Sequence, residues 1–354
     1  MAIFVTGGAG FIGSNFILNW LSKFNETIIN IDKLTYAGNI NNLESLKSNK
    51  NYHFIKLDIN NNKENLEILK KYEPSVIINF AAESHVDRSI YNPGSFIDTN
   101  IVGTYKLLNA AYEFWSSKDI SFQESFKFIH ISTDEVYGTL ESNSSPFKES
   151  DKYKPNSPYA ASKASSDLIV RSYRETFGFP VIITNCSNNY GPYQFPEKLI
   201  PLVINNALSN KKIPIYGDGQ QIRDWIHVND HCDAIITVLK NGIPGETYNI
   251  GGKCEKSNID LVNLICELLD AKCSKGNESY KNQIQFVKDR LGHDRRYAID
   301  NSKIEKNLGW SPKIDFESGI KQTIDWYMNN KVWVNGVIDG SYQEWTKKNY
   351  DIKM

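Results

Sequence analysis

An α/β fold is what the sequence predicts: a doubly wound parallel sheet followed by a smaller C-terminal α+β lobe. Three observations carry this. Short apolar runs recur through the first half of the 354 residues. Segments with helical spacing separate them. After about residue 186 the alternation gives way to turn clusters and scattered apolar positions.

The runs at 2–6, 27–32, 52–57, 75–80, 126–132 and 180–185 are mostly rich in Ile, Val and Phe. They are too short for helices and read as buried strands. Ile12–Phe24, Ile97–Trp115 and Tyr159–Phe177 carry helical spacing. Strand–helix alternation of this period calls for parallel strands joined by right-handed crossovers. The later turn clusters are Asn188–Pro192, Tyr216–Gly219, Ile243–Gly245 and Gly251–Gly252.

Composition excludes several classes. Apolar residues make up 40% and charged residues 23%, ordinary globular values, so disorder, collagen and coiled coil are poor readings. A chain of this length buries about 75% of its unfolded surface and needs no disulfide or metal to fold. Forty Lys and Arg against 41 Asp and Glu leave a net charge of −1. That balance calls for neither nucleic acid nor an anionic membrane. No apolar run approaches the roughly 18–20 residues of a membrane span. Met1–Thr6 lacks a basic segment and reads as a strand, not a signal peptide. The five cysteines show no C-x-x-C spacing, so free thiols in a reducing cytoplasm are expected.

The first strand runs into Thr6-Gly-Gly-Ala-Gly-Phe-Ile-Gly13. Gly7 permits a tight turn, Gly10 lets backbone approach a pyrophosphate, and Gly13 allows close helix–strand packing. The helix N-terminus then offers free N–H groups to the phosphates. Asp32 follows 19 residues after Gly13, at the end of the second strand. A carboxylate there hydrogen-bonds ribose hydroxyls and repels a 2′-phosphate, which favours NAD over NADP. Lys33 beside it is a cation that tolerates such a phosphate. Asp58-Ile59 ends the third strand, where adenine is expected, and Ala81-Ala82-Glu83 follows the fourth. The expectation is a Rossmann-type NAD-binding domain over 1–186, with 228–240 returning to it. Residues 187–354 are expected to form mainly the smaller lobe.

Tyr159-Ala-Ala-Ser-Lys163 places a phenol and an ammonium on one helix face. The ammonium is expected to lower the phenol's pKa and make it a base for a hydroxyl proton. Ser132-Thr-Asp-Glu135 follows the fifth strand. Adjacent strand residues point to opposite faces, so Asp134 and Glu135 serve one site only if the chain leaves strand geometry there. Two carboxyls in one pocket acquire separated pKa values, the acid and the base that an elimination needs.

The glycine loop, Asp32 and the Tyr159/Lys163 pair resemble the extended short-chain dehydrogenase/reductase superfamily. Within it, Asp134-Glu135 after Ser-Thr resembles the dTDP-glucose 4,6-dehydratases. Ala81–Ser89, Thr184–Pro192, Pro196–Pro201, Arg223–Asp230 and Asp289–Tyr297 extend the match over essentially the whole chain. Leu291 departs from it, standing where the family usually has Pro.

The resemblance implies an NAD-dependent hydro-lyase of deoxysugar and rhamnose biosynthesis acting on dTDP-glucose. Thr133, Asp134, Glu135, Tyr159 and Lys163 would be catalytic. Phe11, Ile12, Lys33, Leu34, Thr35, Thr99 and Asn189 would join the loop and strand-end residues around NAD. Ser84, Thr133, Asn188, Lys198, Leu199, Pro214, Tyr216, Arg223, Asn258, Asp289, Arg290, His293 and Tyr297 would bind substrate, with Arg295 and Arg296 as further cations. Tightly bound NAD would be regenerated each turnover. A homodimer through Ile97–Trp115 and Tyr159–Phe177 is also implied. A UDP-sugar 4-epimerase or decarboxylase of the same fold and a non-enzymatic NAD sensor are the competing readings; the acidic pair argues against the former. The sensor would not need the acidic pair together with Tyr159 and Lys163.

Other features read as structural. His227 and His231 share zinc-helix spacing without the Glu of H-E-x-x-H or a third ligand, and no metal is expected. His130 lies in an apolar strand and reads as a satisfied core histidine. Tyr190, Tyr193, Trp326, Trp333 and Trp345 read as packing.

Overall fold

β-branched and aromatic side chains suit a pleated, buried surface, and all six apolar runs form strands. The computed structural model describes residues 2–273 and 275–338. Its strands are β1 (Ala2–Thr6), β2 (Thr27–Asp32), β3 (Tyr52–Lys56), β4 (Val76–Asn79), β5 (Lys127–Thr133), β6 (Val181–Cys186), β7 (Asn188–Tyr190), β8 (Ile213–Tyr216), β9 (Ile222–His227), β10 (Thr247–Ile250), β11 (Glu255–Ser257) and β12 (Ile284–Val287). Seven form one parallel sheet in the order β10-β6-β5-β4-β1-β2-β3. This is the expected Rossmann-type α/β fold.

Alternation along each strand feeds two cores. Ile3 and Val5 of β1 pack with Ile28, Ile78 and the Phe16 and Trp20 side chains of helix Phe11–Lys23. Phe4 faces the other way, with Ile29, Ile31, Ile77 and helix Thr104–Ser116. Both faces are covered, which is why the strands carry near-continuous apolar runs.

Two elements differ from the sequence expectation. β10 was not expected as a strand; it has four residues, too few for a periodic signal, yet it pairs with β6. Helix Val228–Asn241 precedes it and packs in the core beside helix Phe11–Lys23. The helix expected over Ile97–Trp115 opens with a π turn, Ile97–Gly103, before Thr104–Ser116 becomes α-helical. The wide turn carries Asn100 onto the Glu83 backbone, at 2.8 and 2.9 Å, and onto Ser162 Oγ at 2.8 Å. Such turns are often found at functional sites.

The second lobe has its own core. Helices Leu199–Leu208, Asn258–Lys272 and Phe316–Asn329 pack there with Trp225 and Tyr190. Trp326 and Trp333 meet Tyr193 and each other edge-on. Trp345 lies outside the described residues. Among the described residues no helix is long and apolar enough to cross a membrane.

Ile129 is fully buried in β5, between β4 and β6. Ile129→Ala should lower unfolding stability by about 2–5 kcal/mol through lost transfer energy and a residual cavity, measurable by urea denaturation.

Candidate active site

One cavity of about 390 Å³ runs along the C-terminal ends of the central strands and into the second lobe. That is where ligands sit in doubly wound sheets. Its first wall is the glycine loop. Gly7 has a φ of +68°, and a Cβ there would lie 2.6 Å from the Ala81 backbone nitrogen. A Cβ on Gly13 would meet Gly7 O at 2.5 Å. The glycines are therefore required by close backbone approach, and they leave a cradle at the helix N-terminus that suits a pyrophosphate.

Asp32 ends β2 on the same cavity, accepting hydrogen bonds from Ala9 N at 3.0 Å and Leu34 N at 2.8 Å. Leu34 adopts a φ of +57° to do so. It supports Asp32 from behind and does not line the cavity. Lys33 Nζ lies 3.4 Å from Asp58 Oδ2 and donates to Thr99 Oγ1 at 3.3 Å. The cation that could greet a 2′-phosphate is thus engaged by a carboxylate. Phe11, Ile12, Thr35, Ile59, Ala82, Glu83 and Asn189 complete this end.

At the end of β5 the chain leaves strand geometry. Thr133 is the last extended residue, and its hydroxyl accepts the Glu135 N–H at 3.3 Å, capping a 3₁₀ turn over Asp134–Tyr137. The turn breaks the strand alternation, so both Asp134 and Glu135 line the cavity. Asp134 Oδ2 and Glu135 Oε2 are buried without hydrogen-bond partners, as are Asn188 Oδ1 and Arg290 Nε on the facing side. Buried polar atoms are normally paired; four unpaired ones around one cavity mark a binding site for a polar ligand.

The two acids are not equivalent. Burial, with the neighbouring Glu135 and Asp224 charges, holds the Asp134 carboxyl well above its ordinary range. Burial also raises Glu135, but Arg290, Arg223 and Lys198 oppose it. Of the two, Asp134 holds its proton more strongly, and Glu135, facing cations, gives its proton up more readily.

Tyr159 corrects one expectation. Its phenol is held well above 10, chiefly by burial, then by Glu135 and Cys186; a hydrogen bond with Thr133 opposes them. Lys163 lines the cavity, but its ammonium donates to Ile131 O at 2.8 Å. Desolvation of the phenol outweighs the expected lowering by its lysine neighbour.

In the second lobe, Lys198 Nζ donates to Ser84 O at 2.8 Å, and Tyr216 donates to Asp87 Oδ2 at 2.9 Å. Arg223 lies over the Tyr297 ring at 4.4 Å and donates to Asp294 O. Leu199, Pro214, Asn258 and His293 also line the cavity. Asp289 and Tyr297 do not. Asp289 bonds His293 Nδ1 at 2.6 Å and Gln221 at 3.1 Å, while Tyr297 donates to Asp294. Arg295 and Arg296 stand apart from the cavity, spent on Asp218 at 2.9 Å and Glu255 at 2.6 Å. Tyr36, His85, Asp87 and Glu197 line the cavity but were not singled out from sequence. Arg88 joins them, pairing with Glu197 at 2.9 Å and lying 3.8 Å from the Tyr36 ring centre. The motif stretches 81–89 and 196–201 hinted at His85, Asp87, Arg88 and Glu197, and nothing hinted at Tyr36.

Among the described residues no group of three or more His, Cys, Asp and Glu is placed to hold a metal. His231 instead bonds Asn189 Oδ1 at 2.9 Å, and His227 accepts Asn229 N at 3.2 Å.

A family model described as GDP-mannose 4,6 dehydratase matches residues 4–323. The dTDP-glucose 4,6-dehydratase of Xanthomonas campestris pv. campestris strain B100 is 54% identical, over 96% of both chains. The chain belongs to the dTDP-glucose 4,6-dehydratase family. Two solved structures of dTDP-glucose 4,6-dehydratases agree. That from Bacillus anthracis, in complex with NAD, has a TM-score of 0.84 and 46% identity, covering 95% of this chain and 99% of that one. That from Streptomyces venezuelae, with NAD bound, has 0.87 and 42%, covering 95% and 100%. Membership of the dTDP-glucose 4,6-dehydratases accounts for an acidic pair beside a dinucleotide cradle.

Gly7→Ala should weaken NAD binding by about 5- to 150-fold, since backbone strain and the Ala81 contact together cost on the order of 1–3 kcal/mol. Quenching of protein fluorescence by added NAD measures it.

Proposed function

We propose that the chain is an NAD-dependent hydro-lyase converting dTDP-glucose to dTDP-4-dehydro-6-deoxyglucose. The observation that carries this is the unequal, partly unpaired carboxyl pair Asp134–Glu135, sharing one cavity with Tyr159 and the glycine cradle. An elimination needs an acid and a base on adjacent carbons. A 4-epimerase or decarboxylase does not need both.

NAD, held by the glycine cradle and Asp32, supplies when bound a hydride acceptor for C4, a hydride source for C6 and a positive charge that eases ionisation of a buried phenol. Tyr159 takes the C4 hydroxyl proton, and Thr133 hydrogen-bonds that hydroxyl. The resulting 4-ketone acidifies the C5 hydrogen. Glu135 removes it while Asp134 passes its proton to the C6 hydroxyl, which leaves as water. C5 is reprotonated from Glu135 after that carboxyl has exchanged its proton with solvent. Arg223, Arg290 and Lys198 supply positive charge for the diphosphate, Arg being suited to bidentate phosphate contacts. Residues 1–186, with 228–240, would hold the cofactor, and 187–354 mainly the nucleotide sugar.

Dimerisation belongs to the same proposal. Ile97, Tyr105, Leu168 and Phe177 are each 47–58% exposed on the two helical segments that would form a four-helix contact between copies. A dimer mass is expected in light scattering; a monomer mass independent of concentration would remove it. Free cysteines and ordinary surface charge support a cytoplasmic site of action.

Turnover of dTDP-glucose in deuterated water should place one deuterium at C5; a 4-epimerase would place none. Tyr159→Phe should show no absorbance rise at 340 nm on mixing. Glu135→Gln should show a rise that persists because elimination is impaired. Identical behaviour of the two variants would sink the division of roles.

A further inference from the structure

Around Lys163 lies a buried polar cluster that the reaction steps do not use. It joins His130 of β5, Asp167 and Ser166 of helix Pro158–Phe177, and Ser132. His130 is fully buried, Asp167 is 1% exposed and Lys163 is 3% exposed.

The hydrogen bonds set the proton positions. Thr6 Oγ1 accepts the Ala81 N–H at 3.4 Å, so it donates to Asn79 Oδ1 at 2.6 Å. The Asn79 amide nitrogen then faces His130 Nδ1 at 3.1 Å. His130 is therefore neutral, with its proton on Nε2. That Nε2 lies 3.2 Å from Ser166 Oγ, 3.4 Å from Asp167 Oδ1 and 3.4 Å from Lys163 Nζ. Ser132 Oγ donates to Asp167 Oδ2 at 2.7 Å, while Oδ1 has no hydrogen-bond partner.

The groups facing Lys163 are Tyr159 and Asp167 on its own helix, His130 on β5 and Cys186 on β6. Burial pushes the Cys186 thiol up to about 12, so it stays protonated. Burial, with Lys163 nearby, lowers His130 to about 4, so it stays neutral. The Tyr159 phenol is also held protonated. Among the described residues facing the ammonium, Asp167 is the carboxyl side chain, and His130 Nε2 links the two at 3.4 Å from each.

We infer that Asp167 is a positioning residue for the reaction: a buried counter-charge, oriented by Ser132 and His130, that keeps the Lys163 ammonium protonated inside the protein. An unpaired buried ammonium would otherwise shed its proton, and Tyr159 would lose the charged neighbour that its ionisation needs. Asp167 touches neither cofactor nor sugar and acts through Lys163 alone. The inference rests on the dehydratase reading.

The experiment is kcat/KM for dTDP-glucose against pH in wild type, Asp167→Asn and Asp167→Glu. Burial lowers the Lys163 ammonium, and the Asp167 charge opposes that lowering. Removing the anion should therefore bring the alkaline limb down by about 1–2 pH units. The KM for the sugar should be little changed, and Asp167→Glu should restore the limb. An unmoved limb in Asp167→Asn overturns the inference. Should Asp167→Asn fail to fold, the cycle with Lys163→Met decides. With both charges gone, Lys163→Met/Asp167→Asn should regain the melting temperature of Lys163→Met; a double variant as unfolded as Asp167→Asn overturns the inference. Wild-type turnover is read in the same assay. Its absence would strike the dehydratase reading instead.

Discussion

The site depends on a change of backbone geometry at one residue. β5 runs extended to Thr133 and then turns at Asp134. Had the strand continued, one of the two acids would have pointed to the opposite face of the sheet. The turn brings both carboxyls to the sheet's C-terminal edge, beside the Tyr159 phenol and opposite Arg223 and Arg290. The Thr133 hydroxyl holds the turn by capping Glu135 N. The same residue thus ends the strand, begins the turn and faces the cavity.

Burial then sets the electrostatics. It is the largest influence on Asp134, Glu135, Tyr159 and Lys163 alike, and in each it disfavours the charged form. What separates the groups is which charges oppose it. Glu135 has three cations to offset desolvation, while Asp134 has Arg223 against it and two acids, Glu135 and Asp224, adding to it. Packing thereby pushes two neighbouring carboxyls upward to different extents.

The cavity is closed by contacts between distant segments. Residues 84–88 meet the second lobe through Ser84 with Lys198, Asp87 with Tyr216, and Arg88 with Glu197. These pairs join positions more than a hundred residues apart. They explain why Tyr36, which belongs to no recognisable motif, lines the cavity beside Glu197: each is placed by Arg88.

The sequence by itself determined the sheet, the glycine cradle, Asp32 and the grouping of Tyr159 with Lys163, because these follow from local spacing and period. The acidic pair was legible as a pair. Tertiary structure decided the rest. β10 is too short to announce itself and exists because β6 offers an edge. Leu34, Asp289 and Tyr297 proved to support cavity residues, a distinction of orientation that spacing cannot carry. Arg295 and Arg296 were claimed by Asp218 and Glu255 through pairing at long range. The phenol's pKa went against the local Tyr–Lys reading because desolvation is a property of the whole fold: no neighbour at i+4 reveals how much water the packed protein removes.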